Sequence, residues 1–504
     1  MSWWCRRRAP AALLVLVALP GVVPGEQGRD GEAWSLSLED AVLSALEHNP
    51  ALQAEQLEPL VAGTFEQLER AEFEPRLGLD ALYGREREQR LGELGEDGAV
   101  RDEYADLLGS VRQRFATGTE LELSLGQRFL ERVAEEEREQ HTTRIGATLT
   151  QQLLEGRGRE VNLVALRQAE LATLGSEYEL AGFAAQLVAD VEVAYWEYVL
   201  ADREIAIFEQ SLSLAEQEVE RAQERVRLGD LAETELAPLE AEVALRRQEL
   251  IDARNRRESA RLELLRLAGS EEQVDEDRAI EPQTEPERTV REPDPVTEHL
   301  ALALQHRPEI NQARLELQGE NLEVTRTRNG LLPRLELFVS LGRSGYADSF
   351  SRAPRELDGS SYDAELGIRL ERPLRNRAPE AEHRRALAER NQANLSLSNL
   401  ARLIRHDVRT AHLELQRAAA QIEASAATRR AQQERVRAED ERFRAGDATA
   451  FAVVQAQRDL LEAQINEAAA VVEYRTALVE LYRLDGTLLQ RRGIEAVPEQ
   501  ANLR

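Results

Sequence analysis

The chain has 504 residues, a formal net charge of -29, 31% charged residues and only 5% aromatic ones. An acidic surface of this kind excludes a nucleic-acid binder, which needs a basic face to meet phosphate. The Ala/Leu/Glu/Arg-rich composition favours long helices over a small mixed fold. All 64 basic residues are Arg, which reads as codon usage and not as function.

At the N-terminus Arg6, Arg7 and Arg8 precede an apolar run from Ala11 to Leu19, and small or turn-forming residues follow from Pro20 to Gly25. This order reads as a secretory signal over residues 1–25. Cys5 is the only cysteine and precedes the apolar run. A mature chain without it has no thiol, no disulfide and no Cys metal ligand. No later stretch is apolar for about 18 residues, so the sequence predicts no helical membrane span and leaves strands as the only route into a bilayer.

Residues 36–73 read as helix, with Leu38, Val42, Ala45, Leu46, Leu52, Leu57 and Leu60 as its apolar positions. Pro75, which lacks an amide donor, ends it. Strands are expected within 75–152. Leu77, Leu79, Ala81 and Tyr83 alternate, and so do Ile145, Ala147 and Leu149 against Arg144, Thr148 and Thr150. Residues 107–129 read as strand, turn, strand around Thr117-Gly118-Thr119. They either join the same sheet or belong to a surface loop. A long proline-free helix follows over 160–228, then a shorter one over 231–268. In the latter, Leu239, Val243, Arg246, Leu250, Ala253, Arg257, Ala260, Leu264 and Leu267 follow a 4-3 spacing. The two Arg could face a wet lumen or another chain, and the simplest reading lays their stems along the apolar stripe. Residues 270–295, with Pro282, Pro286, Pro293 and Pro295 among many acids, read as an irregular connector.

The pattern then repeats. Helix is expected over 296–330, strands over 333–342 and 363–373, a long helix over 380–445, a shorter helix over 448–485 and a tail over 487–504. Leu335, Leu337 and Val339 share one strand face, as do Leu366, Ile368 and Leu370. Such alternation is the strand period, and apolar-out, polar-in strands suit a membrane barrel, although an ordinary half-buried sheet alternates in the same way.

The repetition is literal. Leu46-Glu47-His48-Asn49-Pro50 echoes Leu304-Gln305-His306-Arg307-Pro308 at an offset of 258, and Pro75-Arg76-Leu77 matches Pro333-Arg334-Leu335 at the same offset. Later, Arg227, Gly229 and Asp230 match Arg444, Gly446 and Asp447 at an offset of 217, as Leu264, Leu267 and Gly269 match Leu481, Leu484 and Gly486. Two copies of one helix–strand–helix unit, 36–269 and 296–486, account for this order. The fall in offset from 258 to 217 places about 41 extra residues in the first copy.

These residues resemble the TolC-like outer-membrane efflux family. The resemblance rests on Leu38-Glu39-Asp40-Ala41 through His48-Asn49-Pro50, the strand opening at Pro75-Arg76-Leu77, Leu153-Leu154 with Gly156 and Gly158 before a long helix, and the Arg-Leu-Gly-Asp turn at 227–230. It covers about 36 to 490 and recurs in both copies. It implies a mainly α chain with membrane β structure: long coiled-coil hairpins in an α-helical barrel, and a β-barrel completed by trimerisation. Four strands per chain would make twelve in the homotrimer. The implied protein is an outer-membrane duct of a Gram-negative-type cell, with a periplasmic helical domain. It has no cofactor and no enzymatic activity. Its partners would be outer-membrane lipid, a periplasmic adaptor (membrane fusion protein) and an inner-membrane pump or ABC exporter.

The resemblance also implies adaptor-docking tips at Arg227, Leu228, Gly229 and Asp230 and at Arg444, Ala445, Gly446 and Asp447. Family members often narrow the tunnel with acids just past the second-copy Gly, where this chain has Ala452 and Gln455. Glu233 and Glu235, past the first-copy Gly, are the available carboxylates for a constriction, although acids at a helix start also suit its dipole.

Two other classes compete. For an enzyme, the seven His are scattered, and His406 and His412 lack the i,i+4 spacing of a helical metal pair. A soluble periplasmic coiled-coil adaptor or scaffold would explain the signal, the helices and the acidity, but not duplicated amphipathic strands between helices.

Overall fold

The computed structural model describes residues 34–91, 97–133, 137–269, 279–287, 289–290, 294–358 and 360–494. The expected signal at 1–25, much of the connector at 270–295 and the end of the tail therefore lie outside the described residues.

In chain order a short strand, β1 (Trp34–Leu36), leads into α1 (Leu38–His48), α2 (Pro50–Glu55) and α3 (Glu58–Ala71). Four long strands follow: β2 (Arg76–Leu91), β3 (Asp97–Arg114), β4 (Thr119–Val133) and β5 (Glu137–Gln152). A single turn, α4 (Arg159–Asn162), precedes the 65-residue α5 (Val164–Leu228) and then α6 (Leu236–Ala268). β6 (Ile280–Pro282) lies in the connector, and the second copy opens with α7 (Val296–His306) and α8 (Pro308–Asn329). It continues with β7 (Arg334–Ala347), β8 (Tyr362–Glu371), the 69-residue α9 (Arg377–Ala445), α10 (Ala450–Leu484) and α11 (Leu488–Arg491).

The helix expected over 36–73 is thus three helices, and the one over 296–330 is two. Proline is the cause at the matched breaks. Pro50 and Pro308 each open a new helix, where a missing amide costs nothing. The Asn49 side chain caps α2 by accepting from the Ala51 and Leu52 amides at 3.0 and 3.2 Å. The shorter helix expected from 231 begins at Leu236, after a 3₁₀ turn over Glu233–Glu235.

The chain divides into two units, each drawing on both copies. The first comprises the described part of Met1–Glu58 with Glu177–Gln312 and Ser398–Arg504. Its core gathers α1, the middle of α5, the end of α6 and the end of α10 around Tyr195, Tyr198, Leu264 and Val472. The connector contributes order to it, because β6 pairs in parallel with β1, Trp34 opposite Ile280. Two buried tyrosines tie that pair to α5. Tyr195 donates to the Leu36 carbonyl at 3.1 Å, and Tyr198 donates to the Ile280 carbonyl at 2.6 Å.

The second unit comprises Pro59–Ser176 and Ala313–Leu397. It contains an antiparallel sheet of six strands in the order β2-β3-β4-β5-β7-β8. The four strands per chain implied by the resemblance are therefore exceeded. The segment over 107–129 lies within β3 and β4 and joins the sheet between β2 and β5. The first copy supplies four strands and the second two.

Candidate functional site

The sheet has two chemically opposed faces, because side chains alternate along a strand. Cross-strand register makes each face continuous. One row reads Leu77, Val111, Leu123, Ala147, Leu341 and Ala364, apolar on all six strands. The neighbouring row on that face reads Leu121, Leu149, Val339 and Leu366, and Leu337–Ile368 and Leu335–Leu370 extend it. All six strand residues singled out in the second copy (Leu335, Leu337, Val339, Leu366, Ile368 and Leu370) thus share one face. Leu366, Ile368 and Leu370 are exposed, while the other three are half-buried.

The opposite face is polar. One of its rows reads Gly78, Ser110, Ser124, Gly146, Gly342 and Asp363, and the next includes Arg112, Glu122, Thr148, Ser340 and Glu365. Ion pairs cross its strands: Arg128–Asp106 at 2.6 Å, Arg144–Asp363 at 2.6 Å, and Arg112–Glu122 and Arg369–Glu336 at 3.3 Å. An exposed apolar face of this extent on a water-soluble protein would be an aggregation surface.

The second candidate site is the pair of turns between long and short helices, in the helical unit. At the first, Gly229 has φ +83°, its amide donates to the Val226 carbonyl at 3.0 Å, and the Asp230 amide donates to Arg225 at 2.8 Å. At the second, Gly446 has φ +82°, its amide donates to Phe443 at 3.2 Å, and the Asp447 amide donates to Arg442 at 2.8 Å. Both are Schellman caps, which need a left-handed residue and so favour Gly. A Cβ on either glycine would meet nothing within 4 Å, so backbone conformation alone selects it. Arg227, Leu228, Gly229 and Asp230 are all exposed, and so are Arg444, Ala445, Gly446 and Asp447. Arg227 pairs with Glu224 at 3.2 Å, and Arg444 pairs with Asp440 at 2.5 Å.

The two carboxylates past the first turn differ. Glu233 is exposed. Glu235 is half-buried, and its Oε2 accepts the Ala450 amide at 3.0 Å at the start of α10. There it satisfies an orphan amide and meets the positive end of the helix dipole. Sequence reading missed this role because the partner lies 215 residues away.

Beyond the turns, the expected Arg stripe of α6 is an ion network. Arg246 is 2% exposed and pairs with Glu242 at 2.5 Å and with Glu249 at 2.7 Å. Arg458 on α10 joins Glu242 at 2.6 Å. Arg257 reaches Asp202 at 2.9 Å and donates to the Tyr198 hydroxyl at 3.3 Å. The Arg246 head is thus matched inside the helix packing, whereas the Arg257–Asp202 pair stays partly exposed, as a stem laid along the stripe would leave it. The signal available was Glu242 itself, one turn before Arg246 and adjacent to the stripe position Val243.

Another buried polar cluster lies elsewhere in the helical unit. His299 Nδ1 on α7 is 2.7 Å from Asp485 Oδ2, and the His299 ring lies 6.0 Å from that of His412 on α9. Burial, with His299 adding to it, pushes the His412 imidazole below its usual value. No group of three or more His, Cys, Asp or Glu suited to a metal occurs among the described residues. No helix among them is long and apolar enough to cross a membrane.

The chain is thus a duplicated unit that contributes long helix hairpins and a six-stranded sheet with one apolar face. The family model for the outer membrane efflux protein matches residues 42–270 and 300–487, one stretch in each copy, and the chain belongs to that family. It is an outer-membrane efflux channel protein. No curated protein gives a match. Solved structures share the fold. A membrane protein from Pseudomonas aeruginosa has a TM-score of 0.66 at 20% identity, over 93% of this chain and 99% of its own. The Campylobacter jejuni CmeC outer membrane channel gives 0.65 at 15% identity, over 95% and 96%. The Vibrio cholerae outer membrane protein VceC gives 0.65 at 17% identity, over 89% and 96%.

Proposed function

We propose that three copies of this chain assemble into a duct through the outer membrane, served by a periplasmic adaptor and an inner-membrane pump or ABC exporter. The unbroken apolar row across all six strands, with ion pairs on the opposite face, carries this reading. Leu335, Leu337, Val339, Leu366, Ile368 and Leu370 then face lipid, and the Arg–acid pairs face a wet lumen. Barrel closure removes the open edges that no strand of a bilayer-spanning sheet tolerates.

In the same reading the two turns around Gly229 and Gly446 dock the adaptor. Their equal caps and full exposure present two similar knobs per chain. Glu233 is the acid left to narrow the passage, since Glu235 holds the start of α10.

Membrane fractionation tests the core of this reading. The mature protein should resist extraction from outer membranes by high salt, and purified trimer should form pores in a planar bilayer. Release by salt, as a soluble scaffold would show, overturns it. For the tips, Leu228→Asp should weaken capture of the adaptor while leaving the inserted trimer at its normal level. Unchanged capture removes docking from that turn.

A further inference from the structure

The six-stranded sheet carries a consequence for the width of the duct, resting on the trimeric reading above. We propose that the β3–β4 hairpin is part of the membrane wall, so that three copies of six strands close a barrel of eighteen in place of twelve.

Three observations place the hairpin in the wall. First, it is inserted inside the sheet. β3 pairs with β2 from Arg76–Arg112 to Leu91–Asp97, and β4 pairs with β5 from Thr119–Gln151 to Val133–Glu137. Lifting the hairpin out would break both ladders, and in hydrocarbon each freed backbone group costs several kcal/mol. Second, its turn lies at the helix-side end of the sheet, where β2 begins and β5 ends. The Gly158 amide donates to the Thr117 carbonyl at 3.1 Å, and Asn162 Nδ2 donates to the carbonyls of Ala116, Gly156 and Gly158 at 3.2, 2.7 and 2.9 Å. A hairpin standing outside the membrane would have its turn at the opposite end. Third, its apolar residues stand level with those of its neighbours: Val111 opposite Leu77, and Leu123 opposite Ala147.

Closure requires a second copy at each edge. β2 and β8 are the outer strands, and both carry apolar residues more open than those inside the sheet: Leu77 at 82% and Leu366 at 76%, against Leu149 at 44%. β2 runs away from α3, whereas β8 runs towards α9, so β2 of one copy and β8 of the next meet antiparallel, like every other pair in this sheet. Strands about 4.8 Å apart and tilted by about 40° give a backbone diameter of about 24 Å for twelve strands and about 36 Å for eighteen. The added hairpin thus widens the membrane passage by about half, towards bulkier cargo.

The test uses single cysteines in the full-length protein carrying Cys5→Ser, labelled with a fluorophore and reconstituted with lipids carrying nitroxide on their acyl chains. Leu125→Cys reports the hairpin's apolar face, Ser124→Cys its opposite face, and Leu366→Cys the second-copy wall. The labels at 125 and 366 should be quenched several-fold more than the label at 124, and electron microscopy of the trimer should show a barrel about 36 Å across. Quenching at 366 without quenching at 125, or a barrel about 24 Å across, overturns the eighteen-strand wall and leaves the duct standing. Absence of quenching at both 366 and 125 overturns the duct as well.

Discussion

The two copies of the repeat agree closely where the chain reverses and differ where it meets other surroundings. Gly229 and Gly446 share a φ within one degree and the same pair of capping hydrogen bonds. Pro50 and Pro308 break their helices at the same place. Yet the first copy builds four strands and the second two. The first places a charged network in its short helix, at Glu242 and Arg246, where the matching positions of the second are Asp459 and Ala463. Tyr195, bonded to the Leu36 carbonyl, corresponds to His412 in the second copy, which faces His299. Local backbone geometry survives duplication because it needs only one or two residues. Side chains that must satisfy each other across helices are free to diverge as matched sets.

The largest test of that contrast is at Glu242. Glu242→Ala leaves buried Arg246 with Glu249 as its one remaining acid and takes the partner from Arg458, and should cost about 3 kcal/mol. Asp459→Ala removes a partly exposed pair with Arg435 and should cost less than about 1 kcal/mol. Denaturant unfolding of the two variants measures both, and equal losses would deny the asymmetry.

Next is the hairpin found only in the first copy. Gly118 has φ +82°, and a Cβ there would lie 2.3 Å from the Gly156 carbonyl oxygen. Gly118→Ala should cost upwards of about 2 kcal/mol and lower the yield of membrane-inserted protein. A normal yield would show that the turn is not pinned against Gly156.

At the tips, where no atom crowds the glycine, Gly229→Ala and Gly446→Ala should each cost about 1–2 kcal/mol from backbone strain alone. The two losses should agree, and a clear difference in unfolding midpoint would break the equivalence of the turns.

The smallest expected effect is at His412. Its lowered pKa means that the folded state resists protonation while the unfolded chain accepts it. Its contribution is therefore fully present above about pH 6.5 and is lost as pH falls towards the lowered folded value. His299 and the Asp485 carboxylate are the titratable groups clustered with it. Stability followed by denaturation between pH 7 and 5 should decline less steeply in His412→Gln, and parallel curves would remove the cluster from the acid response.

Duplication, the helix–strand–helix order, the alternating faces of β7 and β8 and the glycine turns were all readable in the sequence. Each depends on periods or motifs spanning a few residues, and the repeat supplied every one of them twice. The strand count was not readable. Residues 107–129 have the same alternation in a sheet as in a surface loop, and only the ladders to β2 and β5 distinguish them. The role of Glu235 was equally hidden, because the Ala450 amide it accepts lies in the other copy. The burial of Arg246 among acids also required α6 and α10 to be packed. The sequence by itself determined the order of helical, strand and turn regions, since those preferences are local, but not the breaks at Pro50 and Pro308 within them. Only the tertiary structure decided how many strands one chain contributes and which charges neutralise each other, because both depend on pairings between residues far apart in the chain.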